Sequence, residues 1–238
     1  MALPKLDTPT YEVTLPSTGE PIKFRPFLVK EQKVLMMAQE SKDTKQMITT
    51  MGNLVKSCCI ETVDIDKIPM FDIEYLFLNI RGKSVGEEIE VNIICPDDGE
   101  TQVPVMINID DIQVQKDDEH TNKIQLDEQI MMVMKYPSLD QFIKNNFDFE
   151  SKNQMDQSFD LIASCIESIC TEEDVWATAD CTKKEVTEFL ESMNSSQFKG
   201  VEKFFDTMPK LAHTIKVKNP VTKKESEVVL EGLASFFA

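Results

Sequence analysis

Arginine is almost missing from this 238-residue chain, which has Arg25 and Arg81 and no others. Forked, bidentate recognition of phosphate or carboxylate therefore has few residues to work with. Glycine is scarce at seven residues, and neither the P-loop pattern nor GxGxxG occurs, which removes the familiar backbone cradles for nucleotide phosphates. Two histidines are present, His120 and His213, and neither belongs to a cysteine or serine nucleophile motif. No run of about eighteen apolar residues exists to span a bilayer. The start MALPKLDTPTYE lacks the charged and apolar regions of a signal peptide, and a soluble, cytosolic protein is expected. Positive charge is outnumbered, with 25 Lys and Arg against 42 Asp and Glu, a net charge of -17 and a pI near 4.5. Nucleic acid and anionic membrane surfaces would repel such a chain.

What is there is globular. Hydrophobic residues make up 41% of the chain, enough for one large domain or two small ones. The six cysteines, Cys58, Cys59, Cys95, Cys165, Cys170 and Cys181, fall mostly inside helical patterns without a framework spacing, and are read as reduced thiols. Thirteen methionines, among them Met36-Met37 and Met131-Met132, supply adaptable apolar surface for an irregular core or for a partner groove.

The stretch VGEEIEVNIICPDDGETQVPVMINIDDI, residues 85–112, reads as a β-hairpin. Ile89, Val91 and Ile93 alternate with polar residues, Pro96-Asp97-Asp98-Gly99 turns, and Val103, Val105, Ile107 and Ile109 alternate on the return. A weaker echo closes the chain: Ile215 and Val217, then Asn219-Pro220 and Lys223-Lys224, then Val228 to Leu230. Each is preceded by a short amphipathic stretch, Phe71–Phe77 and Val201–Asp206. The order fits a degenerate duplication of a helix-plus-hairpin unit roughly 130 residues apart, and also fits two unrelated hairpins after two helices. Cys95-Pro96-Asp97-Asp98-Gly99 resembles half a zinc knuckle in which Asp98 stands at the second cysteine, while the echo has Asn219-Pro220. One thiolate does not make a tetrahedral site, so a metal-free turn is expected, with no metal and no cofactor.

Along the rest of the chain, Tyr11, Val13 and Leu15 with Ile22 and Phe24 predict a first hairpin around Pro16–Glu20. Lys30–Ser41 reads as a helix with Val34, Leu35 and Ala38 at helical spacing. Asp43–Cys59 reads as another, burying Met47, Ile48, Met51, Leu54, Val55 and Cys58. Gln115–Glu128 is polar and acidic, a connection between halves. Ile130–Pro137 predicts a buried strand, and Ser138 caps a short helix after it. Met155, Phe159, Ile162, Ile166 and Ile169 recur at spacings of four and three, which predicts one helix from Asn153 to Thr171 packed on another helix. Thr182–Glu185 is a capping box, and a last helix carries Phe198, Val201, Phe204, Phe205 and Met208. The apolar end Leu233-Ala234-Ser235-Phe236-Phe237 either folds back on the core or docks on a partner. The expected fold class is α+β: a helical body with small antiparallel hairpins, in two similar helix-plus-hairpin halves if the duplication holds. The expected division is 1–114, an acidic connection 115–128, and 129–238.

The segments Pro9-Thr10-Tyr11-Glu12, Leu15-Pro16-Ser17-Thr18-Gly19, Phe24-Arg25-Pro26-Phe27, Cys95-Pro96, Asn108-Ile109-Asp110-Asp111-Ile112, Lys135-Tyr136-Pro137 and Phe204-Phe205-Asp206-Thr207-Met208-Pro209-Lys210-Leu211 come in a telling order. Together they resemble the T4-type baseplate hub subunit and hub assembly proteins of contractile-tailed bacteriophages. The resemblance implies hairpin tips that often carry zinc-knuckle-like cysteines, most of which this chain lacks. It also implies a non-enzymatic late protein that helps build the central baseplate hub, in the cytoplasm of an infected bacterium or in the virion tail baseplate. Its partners would be other hub or tail proteins, the tape-measure protein among them, and neither nucleic acid nor membrane. Candidate partner-binding residues are Phe204, Phe205, Leu233, Phe236 and Phe237. A permanent virion subunit, a thiol- or metal-dependent enzyme and a regulatory binding module of the host are the alternatives.

Overall fold

The computed structural model describes residues 6–41, 43–61, 64–65, 67–147 and 154–236. In chain order they form β1 (Tyr11–Thr14), β2 (Pro21–Phe24), α1 (Val29–Ser41), α2 (Thr44–Cys58), α3 (Met70–Val85), β3 (Glu88–Ile94), β4 (Gln102–Asn108), β5 (Gln113–Gln115), β6 (Lys123–Gln125), β7 (Met131–Met134), α4 (Leu139–Phe147), α5 (Gln154–Ser164), β8 (Ile166–Cys170), β9 (Val175–Ala177), α6 (Lys183–Glu191), α7 (Ser195–Thr207), β10 (Lys210–Lys218) and β11 (Glu225–Glu231). The fold is α+β, and its sheets are small and antiparallel. Two compact units result: Met1–Ile65 with Phe71–Gln115 and Lys210–Ala238, and Asp66–Met70 with Lys116–Pro209. This differs from the division expected at 115–128. The last hairpin belongs to the first unit because Leu211 of β10 pairs with Val114 of β5, which places Lys116–Pro209 as an insertion.

In the first unit, strict alternation does what a pleated strand requires. Ile89, Val91 and Ile93 of β3 are buried while Glu88, Glu90, Asn92 and Ile94 are exposed. β10 buries Ile215 and Val217 in the same way. These inner faces, with Ile107, Leu211, Leu230 and Phe236, share one apolar cluster with Leu78 of α3. The segment expected as a short amphipathic helix at Phe71–Phe77 runs on to Val85. It is apolar around most of its circumference, since Phe71, Ile73, Leu76, Phe77, Leu78 and Ile80 are all buried, and a helix so covered is a core helix. Its first-turn carboxylate, Asp72, is buried and accepts the Ser17 backbone N–H at 3.1 Å and the Ser17 hydroxyl, which ties down the turn of the β1–β2 hairpin. Asp43 caps α2 by accepting the Gln46 N–H, and α2 buries Met51, Leu54, Val55 and Cys58, with Met47 and Ile48 half-buried. α1 departs from expectation: Ala38 is its buried residue, and Val34 faces solvent.

The second unit is built on a sheet of order β6-β7-β8-β9 with α4 to α7. The single helix expected from Asn153 to Thr171 is corrected here. α5 stops at Ser164, and Ile166–Cys170 is the strand β8, paired with Met131–Met134 on one side and with β9 on the other. Ile166 and Ile169 fit a helical period by chance of spacing, but a β-branched pair beside an unpaired buried strand gains a backbone ladder as well as burial. Met155, the first member of the expected stripe, is 72% exposed. Asn153 lies outside the described residues. Thr182 and Glu185 close the expected capping box on α6, and Asn194 and Gln197 close another on α7. Ser138 and Gln141 exchange the same pair of bonds at α4, with Ser138 N–H to Gln141 Oε1 at 2.9 Å. α7 packs so closely on β6 that a Cβ at Gly200 would sit 2.7 Å from Ile124 Cγ2.

Candidate functional site

Two hairpin tips more than a hundred residues apart in sequence meet in the first unit. Their backbones open with the same bond, and the first tip is one residue longer. In the β3–β4 tip, Gly99 N–H donates to the Cys95 carbonyl at 2.9 Å and Cys95 N–H donates to Thr101 O at 2.8 Å. In the β10–β11 tip, Lys223 N–H donates to the Asn219 carbonyl at 3.0 Å and Asn219 N–H donates to Lys224 O at 2.9 Å. Gly99 and Lys223 occupy corresponding places, both with positive φ, 71° and 63°. The proline follows the first residue in each, at Pro96 and Pro220. The hairpin and its echo therefore turn alike from the first residue to the positive-φ residue, and differ by one residue in how they close.

Their side chains differ in a complementary way. The Asn219 amide, buried, donates from Nδ2 to Asp97 Oδ1 at 3.0 Å and to Asp98 Oδ2 at 2.8 Å. The Thr222 hydroxyl donates to Asp97 Oδ2. Asn219 Oδ1 accepts the N–H groups of Val221 (2.8 Å) and Thr222 (3.2 Å), which holds the amide in place. Asp98 in turn accepts from its own strand, the Thr101 hydroxyl at 2.5 Å and the Glu100 and Thr101 N–H groups at 3.1 and 3.0 Å. These donors favour the charged carboxylates. Asp98 is held well below the ordinary range, chiefly by the Thr101 hydroxyl, and Asp97 is lowered first by the Thr222 hydroxyl and then by the Asn219 amide. Cys95 is buried behind them, its thiol pushed up by burial and then by the two carboxylates. A buried, protonated thiol is a poor metal ligand and a poor nucleophile. Among the described residues, no group of three or more His, Cys, Asp or Glu side chains is placed to hold a metal ion.

The second unit contains two of the aromatic residues singled out from the sequence, Phe204 and Phe205. Phe204 is buried in its core, stacked on Tyr136 at 5.7 Å, with Phe205 edge-on at 5.2 Å and half-buried. His120 completes the cluster: its Nδ1 lies 2.9 Å from the Thr207 hydroxyl and its Nε2 2.9 Å from the Tyr136 hydroxyl. Burial lowers the His120 pKa, against the opposing pull of Asp117. It is a packing histidine. His213, within β10, faces the Asp111 carbonyl at 3.1 Å. Phe236 is buried in the first unit's core, so of the two fates open to the apolar terminus this ring folds back. Leu233 begins a 3-10 turn, Leu233–Phe236; its side chain and the whole of Phe237 lie outside the described residues. Phe204 and Phe205 thus belong to one unit and Phe236 to the other.

A surface cleft of about 390 Å³ opens among α5, α6 and α7, lined by Phe159, Leu190, Met193 and Phe198 with Glu191 and Lys199 at its margin. Phe159 and Phe198 stack at 5.7 Å along it. The sequence reading missed it, because it expected the stripe that includes Phe159 to be covered by another helix.

The described residues thus form two small α+β units, one with two hairpin tips clasped by side-chain hydrogen bonds and the other with an open apolar cleft. The family model described as T4 bacteriophage base plate protein matches residues 8–238, and the chain belongs to that family. No curated protein and no solved structure matches it. Among the described residues no helix is long and apolar enough to cross a membrane.

Proposed function

We propose that this baseplate protein is a non-enzymatic, protein-binding component in assembly of the central hub of a contractile tail. The observation that carries the reading is the family match across residues 8–238. The cleft of Phe159, Leu190, Met193 and Phe198 supports it, as apolar surface that a partner's side chains would cover. Its partners are other hub or tail proteins, with the tape-measure protein one of them, met in the cytoplasm of the infected host late in infection. Phe205 and Leu233 would contribute at the margins of such contacts, with Phe204 and Phe236 supporting them from the cores and Phe237 at the terminus.

Mass spectrometry of mature particles tests this together with affinity capture from infected cells. An assembly factor co-purifies with hub components before completion and is missing from finished particles. Peptides at a fixed ratio to a known hub protein would make it a permanent subunit of the virion baseplate instead. Failure to capture any baseplate protein would overturn both.

A further inference from the structure

Charge is unevenly spread along this acidic chain. Residues 23–58 contain seven Lys and Arg against three Asp and Glu, a net of +4, while the remainder holds 18 against 39, a net of -21. The basic segment includes α1, whose exposed face is apolar as well. Val29, Lys33, Met36 and Met37 stand at i, i+4, i+7 and i+8, one face of the helix, with Lys30 beside them and Glu40 at its end. Val29 is 81% exposed, Met36 53% and Met37 58%. Helices of soluble proteins turn such side chains inward unless something else covers them.

The second unit has a surface of opposite sign and similar polarity. β9 is the open edge of the four-stranded sheet. The turn leading into it, Thr171 to Asp174, exposes three successive carboxylates at Glu172, Glu173 and Asp174. Immediately after them come Val175, 69% exposed, and Trp176, 46% exposed and the sole tryptophan of the chain. A half-exposed tryptophan rimmed by charge has the make-up of an interface anchor, and methionine side chains pack favourably against aromatic rings.

We propose that α1 of one copy docks on the β8–β9 hairpin of a second copy. Met36, Met37 and Val29 cover Trp176 and Val175, while Lys30 and Lys33 face Glu172 and Glu173. The two surfaces are different, so the contact is head-to-tail, and each copy retains one free surface of each kind for the next. The net charge of -17 makes copies repel at long range. Association therefore rests on these local patches, where the opposite charges also fix the register. The same net charge disfavours an anionic bilayer as the occupant of the α1 face. This inference stands apart from the choice of hub or tail partners above, since it needs no other protein.

Sedimentation velocity of the purified full chain over a broad concentration range reads the result. The average mass should rise with concentration. Lys30→Glu with Lys33→Glu should weaken association by about tenfold or more, and Glu172→Lys with Glu173→Lys should do the same, because like charges then oppose each other. All four positions are at the surface, and unchanged melting would show that both variants fold. Mixing the two reversed proteins should restore association, since each reversed patch then meets its complement. A mass that stays monomeric throughout, reversals without effect, or a mixture that fails to recover would overturn the proposal. So would α1-dependent pelleting with phosphatidylglycerol-containing vesicles in place of self-association.

Discussion

The two hairpin tips open with the same backbone bond, differ by one residue in length, and divide the chemistry between them. One presents Asp97 and Asp98, the other Asn219 and Thr222, and the donors of the second satisfy the acceptors of the first. Were both tips acidic, like charges would face each other. The difference shows that similar turns can carry acceptors in one hairpin and donors in the other. The first tip gets its positive φ from glycine at Gly99, whereas the second forces Lys223 into the same region.

The largest test of this equivalence lies beneath the tips. Ile93→Ala and Ile215→Ala, on the inner faces of the two hairpins, should each cost about 2–5 kcal/mol, read from the denaturation midpoint at constant slope. A small effect at one and a large one at the other would show that the hairpins do not share their core equally. The double variant should fall short of additivity, because both side chains belong to one cluster.

Asn219→Ala comes next, at about 1–3 kcal/mol, since it removes the amide that both aspartates and two backbone N–H groups use. If unfolding were unchanged, the tips would not be fastened in solution. The positive-φ positions should respond with opposite signs. Gly99→Ala should destabilise by about 1 kcal/mol, and Lys223→Gly should stabilise by a similar or smaller amount. No atom lies within 4 Å of a Cβ built at Gly99, so only the backbone conformation decides. Equal signs in thermal melts would mean that the turns are not alike.

The pH effect is the smallest. Asp97 and Asp98 have folded pKa values below their unfolded ones, so their contribution is complete above the unfolded value of about 3.9 and is lost as pH falls below it. The melting gap between the natural chain and Asn219→Ala should be constant from neutral pH down to that value and narrow below it. A gap that closed at a higher pH would contradict the lowered values.

Much of this arrangement is legible in the sequence. Alternation located the three principal hairpins, and the Thr182–Glu185 box located α6, because each is a local pattern with a local physical cause. The Cys95 and Asn219 tips could be seen to resemble each other. That they touch could not, since the bonds between them link residues more than a hundred positions apart. The same limit explains β8. Phe159, Ile162, Ile166 and Ile169 satisfy a helical period as well as any helix does, and pairing with Met131–Met134, remote in sequence, decides otherwise. The three-residue strands β5, β6 and β9 are too short to show a period at all.

The pairing of Gln115 with Lys210 also has a consequence for biosynthesis. On the ribosome, β5 emerges long before its partner β10, with all of Lys116–Pro209 made in between. The inserted unit has every one of its residues once Pro209 is outside, while the first unit still lacks one side of its core. The nascent chain therefore has every residue of its inserted part available for folding before β10 and β11 can complete the first unit's core.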